Sequence, residues 1–135
     1  MSDKTPSLFR IFLPVTDVAA ARDFYERLLG IDGNEVHPGR VYFRCGPVII
    51  SPLETGASPI GDHVYFSVGN IEEVFKRARD LNCLENSEIH GEAAGEIVIR
   101  PWGERSFYCR DPWGNGLCFV DETTLFTGER DATDL

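Results

Sequence analysis

One pattern occurs twice in this chain. The twenty residues from Arg10, RIFLPVTDVAAARDFYERLL, lie without gaps over the twenty from His63, HVYFSVGNIEEVFKRARDLN, at an offset of 53. Identity between the copies is low, but the order of apolar, polar and capping residues is shared. A supersecondary unit used twice restricts the chain to folds assembled from two copies of that unit.

Each copy opens on a stretch rich in β-branched and aromatic residues, Ile11, Leu13 and Val15 in the first and Val64, Phe66 and Val68 in the second, which predicts a strand. The strand ends at Asp17 or Asn70, whose side chains accept from the free N–H groups of a helix start. Val18, Ala21, Tyr25 and Leu28, and then Ile71, Val74, Ala78 and Leu81, fall on one stripe of the helix that follows. Gly30 and Asn82 are the residues expected to close the two helices. Extended segments come next. In the first copy they are Asn34 to Val36, Val41 to Arg44 and Val48 to Ser51, separated by turns at His37-Pro38-Gly39-Arg40 and Gly46-Pro47. In the second they are Ile97 to Ile99, Ser106 to Cys109 and Leu117 to Val120, the last two joined by Pro112-Trp113-Gly114-Asn115. The unit is βαβββ. Repeat one runs over about residues 8–52 and repeat two over about 62–122, with a connector at 53–61. The expected class is α+β: two tandem βαβββ modules forming curled mixed sheets around a cavity, helices on the outside, as one domain over 1–135.

Charge removes some classes of partner. Against 13 Lys and Arg stand 22 Asp and Glu, a formal charge of -9, so nucleic acid and anionic membranes would meet repulsion. No window approaches 18 consecutive apolar residues, and the start MSDKTPS lacks an apolar core, which predicts neither a spanning helix nor a secretory signal and hence a cytoplasmic protein. Cys45, Cys83, Cys109 and Cys118 show no CxxC spacing and are read as reduced thiols.

Two segments carry a family resemblance. LPVTDVAAARDFYERLLG, with its Phe24-Tyr25 pair, and WGERSFYCRDPWGNGLCFVD, with a turn of the D-P-x-G-N kind, resemble the first strand and helix and the closing hairpin of the vicinal oxygen chelate superfamily. That superfamily holds glyoxalase I, extradiol dioxygenases and bleomycin-resistance proteins. The hairpin motif is also a plain turn specification: Pro112 presets φ, Gly114 and Asn115 tolerate left-handed φ, and Asp111 accepts from backbone N–H groups.

The resemblance implies metal-ligand positions seven residues before each Asx cap and three residues after the turn Asn. They fall on Arg10, His63 and Cys118, with Ile49 as the first-repeat counterpart of Cys118. An arginine and a hydrocarbon cannot ligate a cation, and a His and a Cys alone fall short of the three or four protein ligands of stable sites. No metal cofactor is therefore expected; a divalent ion held by His63 and Cys118 is the alternative. Strand alternation supplies a different lining. Inward Arg10 brings Phe12, His63 brings Tyr65, and Ile49 brings Ser51, with Phe43 and Tyr108 expected from neighbouring strands. Such an aromatic lining suits a flat or amphipathic ligand, and Arg10 adds a fixed positive charge for a carboxylate or phosphate. His63 can also be read as a satisfied histidine at a sheet edge, and Trp102 and Trp113, which flank the closing hairpin, are read equally as core or dimer residues or as stacking surfaces for a ligand.

Two functions follow as expectations. One is a metal-free receptor for a small molecule; the other is a lyase, isomerase or dioxygenase of the same superfamily, with or without metal. The resemblance further implies a homodimer.

Overall fold

The computed structural model describes residues 5–128. The first βαβββ module comprises β1 (Arg10–Val15), α1 (Val18–Leu29), β2 (Asn34–His37), β3 (Arg40–Cys45) and β4 (Val48–Glu54). Its sheet has the order β1-β4-β3-β2, with β1 parallel to β4 and the other pairs antiparallel. The second comprises β5 (His63–Val68), α2 (Ile71–Asp80), β6 (Glu88–Ile89), β7 (Glu92–Ala93), β8 (Val98–Ile99), β9 (Arg105–Arg110) and β10 (Gly116–Asp121), followed by a 3₁₀ turn at Glu122–Thr124. Here the order is β5-β10-β9-β8, again with the first two parallel. The two sheets share one topology, are mixed, and are not closed into barrels. The class is α+β with two βαβββ modules, and the β6–β7 hairpin is an addition that the repeat does not predict.

The chain divides into two compact units, residues up to Ile60 with Trp113–Asn115, and Gly61–Pro112 with the residues from Gly116 onward. In the first, Asp17 caps α1 by accepting from Ala20 N–H at 3.0 Å, and Glu54 Oε1 accepts from Val18 N–H at 3.2 Å, so two first-turn donors of the helix are satisfied. Gly30, at φ 70°, ends the helix with its N–H on the Glu26 carbonyl. Tyr25 and Leu28 of α1 pack fully buried with Leu13, Phe43 and Ile50 of the sheet.

In the second unit Asn70 caps α2 by accepting from Glu73 N–H at 3.2 Å. Glu72 and Glu73 lie in the first turn of α2 and Arg77 and Arg79 in the last, complementing the helix dipole. Asn82 follows in the left-handed region, φ 56°. Phe66 and Phe107 both stack on Phe119, and Phe75 meets Phe107 edge-on, which makes an aromatic layer between helix and sheet. Arg105 ties this face together by pairing with Glu72 of α2 and, at 3.3 Å, with Asp121. No helix among the described residues is long and apolar enough to cross a membrane.

Candidate functional site

The face of the second sheet turned away from α2 is built in rows by strand register. His63 lies opposite Gly116, which lies opposite Arg110; Tyr65 lies opposite Cys118, which lies opposite Tyr108; Ser67 lies opposite Val120, which lies opposite Ser106. Gly116 leaves room for the imidazole, because a Cβ there would stand 2.8 Å from His63 Cδ2. The His63 ring meets Tyr108 edge-on at 4.8 Å, and the Tyr65 and Tyr108 hydroxyls are 3.3 Å apart.

Residues 83–104 cover part of this face. Ala94 and Ile89 pack against Tyr108, Cys118 and Val120. Gly95 passes so close to Glu85 that a Cβ would stand 2.0 Å from the Glu85 carbonyl oxygen, so only glycine fits there. Arg100, 1% exposed, anchors the segment. Its Nε donates to Ser106 Oγ at 3.0 Å, its Nη2 donates to the carbonyls of Ala94, Glu96 and Ser106, and its guanidinium lies 4.9 Å from the Tyr108 ring centre. The charge is solvated by protein carbonyls rather than by a carboxylate. A cation–π contact adds to this.

Burial sets the acid–base character. It pushes the Cys118 thiol up to about 12, with hydrogen bonds from Ser106 and Tyr108 and the Arg100 charge pulling less strongly the other way. Tyr108 is also raised, by burial and then by its bond to Tyr65. His63 is lowered, by burial first and by the charge of Arg110 second, with Glu85 and Asp62 opposing. Its Nε2 is buried and makes no hydrogen bond among the described residues. A neutral imidazole beside the neutral Tyr108 phenol and a neutral Cys118 thiol is the result.

Beside these rows a groove of about 650 Å³ opens to solvent. Tyr65, Phe66, Ser67 and Val120 line it from the sheet, and Trp102, Glu104, Leu125 and Phe126 from the segments before β9 and after β10. Glu104 Oε1 accepts from Trp102 Nε1 at 2.7 Å and Oε2 accepts from Phe126 N–H at 2.8 Å, so one carboxylate fixes both aromatic walls. Of the residues singled out from the sequence, Tyr65 and Trp102 line the groove. Tyr108 and Cys118, expected to line a cavity, lie on the same sheet face but are covered, 2% and 0% exposed, because residues 89–94 fold over them. Glu104, Leu125 and Phe126 escaped the sequence reading. Their only signal is an apolar pair, Leu125-Phe126, just past the final strand.

In the first unit the face turned away from α1 carries Arg10, Phe12, Ile49 and Ser51. Arg10 is opposite Ile49, which is opposite Arg44, and Phe12 is opposite Ser51. Ser51 is fully buried and donates to the Val41 carbonyl at 2.9 Å, so its hydroxyl is committed to the backbone. Phe43 is a correction. It is opposite Ile50, the row of Ile11, and its ring is 6.1 Å from that of Tyr25 in α1, which puts it in the helix-side core. Tyr42, one residue earlier and of the other parity, is the aromatic on the Arg10 face, its ring centre 5.4 Å from the Arg10 guanidinium carbon. A one-residue shift exchanges the faces of a strand.

The ligand positions implied by the resemblance do not make a divalent-ion site. Arg10 is a permanent cation, Ile49 a hydrocarbon, and Cys118 a thiol that burial keeps protonated. Register sets Gly116, not Cys118, beside His63. Among the described residues no group of three or more His, Cys, Asp and Glu is placed to hold an ion.

The sequence matches the family model of the Glyoxalase/Bleomycin resistance protein/Dioxygenase superfamily over residues 7–119, and the chain belongs to that superfamily. No curated protein matches it. Solved structures with the same fold include the lactoylglutathione lyase from Agrobacterium tumefaciens, 22% identical, with 88% of this chain and 96% of that chain covered at a TM-score of 0.65. TioX from Micromonospora sp. ML1 is 21% identical, with 87% and 99% covered and a TM-score of 0.67. Oxidase ChaP-H2 is 21% identical, with 87% and 94% covered and a TM-score of 0.72. At such identities the likeness concerns the fold.

Proposed function

We propose that this protein is a metal-free receptor of the superfamily that holds a small aromatic or amphipathic molecule in the groove of its second unit. The observation that carries the reading is the groove itself. Tyr65, Phe66, Trp102 and Phe126 supply aromatic surface, while Glu104 locks the Trp102 and Phe126 walls in place before any ligand arrives. The neutral, covered Cys118 supports binding over nucleophilic chemistry. A cytoplasmic homodimer is the form we propose for the receptor.

Tryptophan fluorescence tests this, because Trp102 is a wall of the groove. Binding of a fused-ring aromatic compound such as 2-naphthalenemethanol is expected to quench that emission and raise Tm. Trp102→Ala and Tyr65→Ala are each expected to weaken binding by up to about tenfold, the worth of one aromatic stacking contact. A wide panel of aromatic compounds that neither quenches nor shifts Tm overturns the reading, and about one equivalent of Zn, Mn or Fe per purified chain overturns its metal-free part.

One feature favours a second reading, an enzyme of the lyase, isomerase or dioxygenase type. His63 Nε2 is buried, unbonded among the described residues and lowered in pKa, properties that suit a base. Turnover of a hemithioacetal or a catechol that is lost in His63→Ala would establish it.

A further inference from the structure

The face of the first unit that bears Arg10 has a charge character at odds with the chain. The protein carries nine more acidic than basic residues, so an arginine finds a carboxylate partner easily. The ion pairs elsewhere follow that expectation, engaging Arg22, Arg27, Arg79, Arg105 and Arg110. On this face it fails. Arg10 of β1 and Arg40 and Arg44 of β3 point to the same side by strand alternation, and none has a carboxylate within ion-pair distance among the described residues. Arg10 and Arg44 flank Ile49 in one row, two strand spacings or about 10 Å apart.

Aromatic rings hold the guanidinium groups of Arg10 and Arg40 instead. The Arg10 carbon lies 4.9 Å from the ring centre of Phe9 and 5.4 Å from those of Phe12 and Tyr42, and Arg40 lies 5.4 Å from Phe12. Arg10 Nε is buried and, among the described residues, has no hydrogen-bond acceptor. A buried charged donor without an acceptor is disfavoured unless an anion completes it, and three like charges on one face repel until something of opposite sign sits among them. The forked donors of arginine match a carboxylate or phosphate, and the rings beside them offer a stacking surface for a flat body.

From this we infer that the strand face of the first unit is a binding site for an aromatic oxyanion, its anionic group received by Arg10 with Arg40 and Arg44 and its ring laid against Phe12, Phe9 and Tyr42. The site lies in a different unit from the groove proposed above and does not depend on it.

The test is isothermal titration of the full chain with four probes on one ring system: 2-naphthoate, 2-naphthyl phosphate, 2-naphthalenemethanol and 2-naphthylmethylammonium. At least one of the two oxyanions is expected to bind about tenfold or more tightly than the alcohol, the worth of a charge-assisted hydrogen bond, and which of them does so tells a carboxylate from a phosphate ligand. Arg10→Gln is expected to remove that preference while leaving affinity for the alcohol in place, and Arg40→Gln to reduce it, each variant being checked for native circular dichroism. Should Arg10→Gln unfold the chain, Arg40→Gln and a fall in oxyanion affinity with added salt in the unaltered protein decide the matter. Equal binding of the alcohol and the oxyanions, or an oxyanion preference that neither substitution nor salt alters, overturns the inference. Trp102→Ala separates this site from the groove: weakening of all four probes there, with no oxyanion preference at Arg10, leaves the groove standing and the anion site refuted. An oxyanion preference lost in Arg10→Gln and indifferent to Trp102→Ala establishes the anion site apart from the groove.

Discussion

The side-chain amide of Asn115 reaches Pro14, 101 residues earlier in the chain: its Nδ2 donates to the Pro14 carbonyl at 2.8 Å, while its Oδ1 accepts from Ile60 N–H, also at 2.8 Å. Asn115 is fully buried, so neither contact exchanges for water when lost. Truncating it leaves a carbonyl and an N–H without their partner, at about 1–3 kcal/mol each at most. Asn115→Ala is therefore expected to lower unfolding free energy by about 2–4 kcal/mol in a urea titration. Asn115→Asp keeps the acceptor for Ile60 but loses the donor for Pro14, and is expected to be destabilising as well.

Arg100 holds the segment that covers the second sheet. Its bonds to Ala94, Glu96 and Ser106 have no substitute in a shorter or uncharged side chain. Arg100→Met, which keeps bulk but no donors, is expected to cost about 3 kcal/mol. Faster proteolysis within residues 83–104 than elsewhere is the accompanying sign, read by mass spectrometry of the fragments.

His63 makes stability depend on acidity. Its folded pKa lies below the ordinary 6.5, so folding favours the neutral ring. Above about pH 6.5 neither state is protonated there and this contribution is flat. As pH falls below that value the unfolded chain takes up the proton first, and stability declines until the folded pKa is passed. Urea midpoints measured between about pH 7.5 and 5 are expected to fall in the unaltered protein and to fall less in His63→Gln.

The cysteines are expected to react in a fixed order. Cys83 is half-buried and its thiol is lowered, chiefly by a hydrogen bond from Cys109. Cys118 at about 12 is roughly one part in ten thousand thiolate at pH 8, and Cys109 is raised as well. Iodoacetamide at about pH 8 followed by peptide mapping should label Cys83 first, with Cys109 and Cys118 labelled at rates limited by unfolding. Early labelling of Cys118 would contradict the environment described for it.

Much of the architecture was legible because it is periodic. Asp17 and Asn70 mark both helix starts, and alternation puts Arg10 with Phe12 and Ile49 with Ser51 on one side of a strand; these are local properties that a linear string carries. The βαβββ repeat belongs to the same kind. The place of Phe43 was harder. Two adjacent aromatics, Tyr42 and Phe43, fit either face of β3, and the choice is made by which of them meets Tyr25 on α1.

The sequence by itself determined the repeat, the caps, the turn at 112–115 and the excess of acid over base, since each depends on residues within a few positions or on a sum over the chain. The tertiary structure alone decided that an aperiodic stretch folds back over Tyr108 and Cys118, that Glu104 braces Trp102 against the segment holding Phe126, and that three arginines gather on one face without a carboxylate partner among the described residues. Those outcomes depend on contacts between residues distant in the chain. Spacing along the backbone carries no record of them, because burial and pairing are fixed only once the sheets have formed.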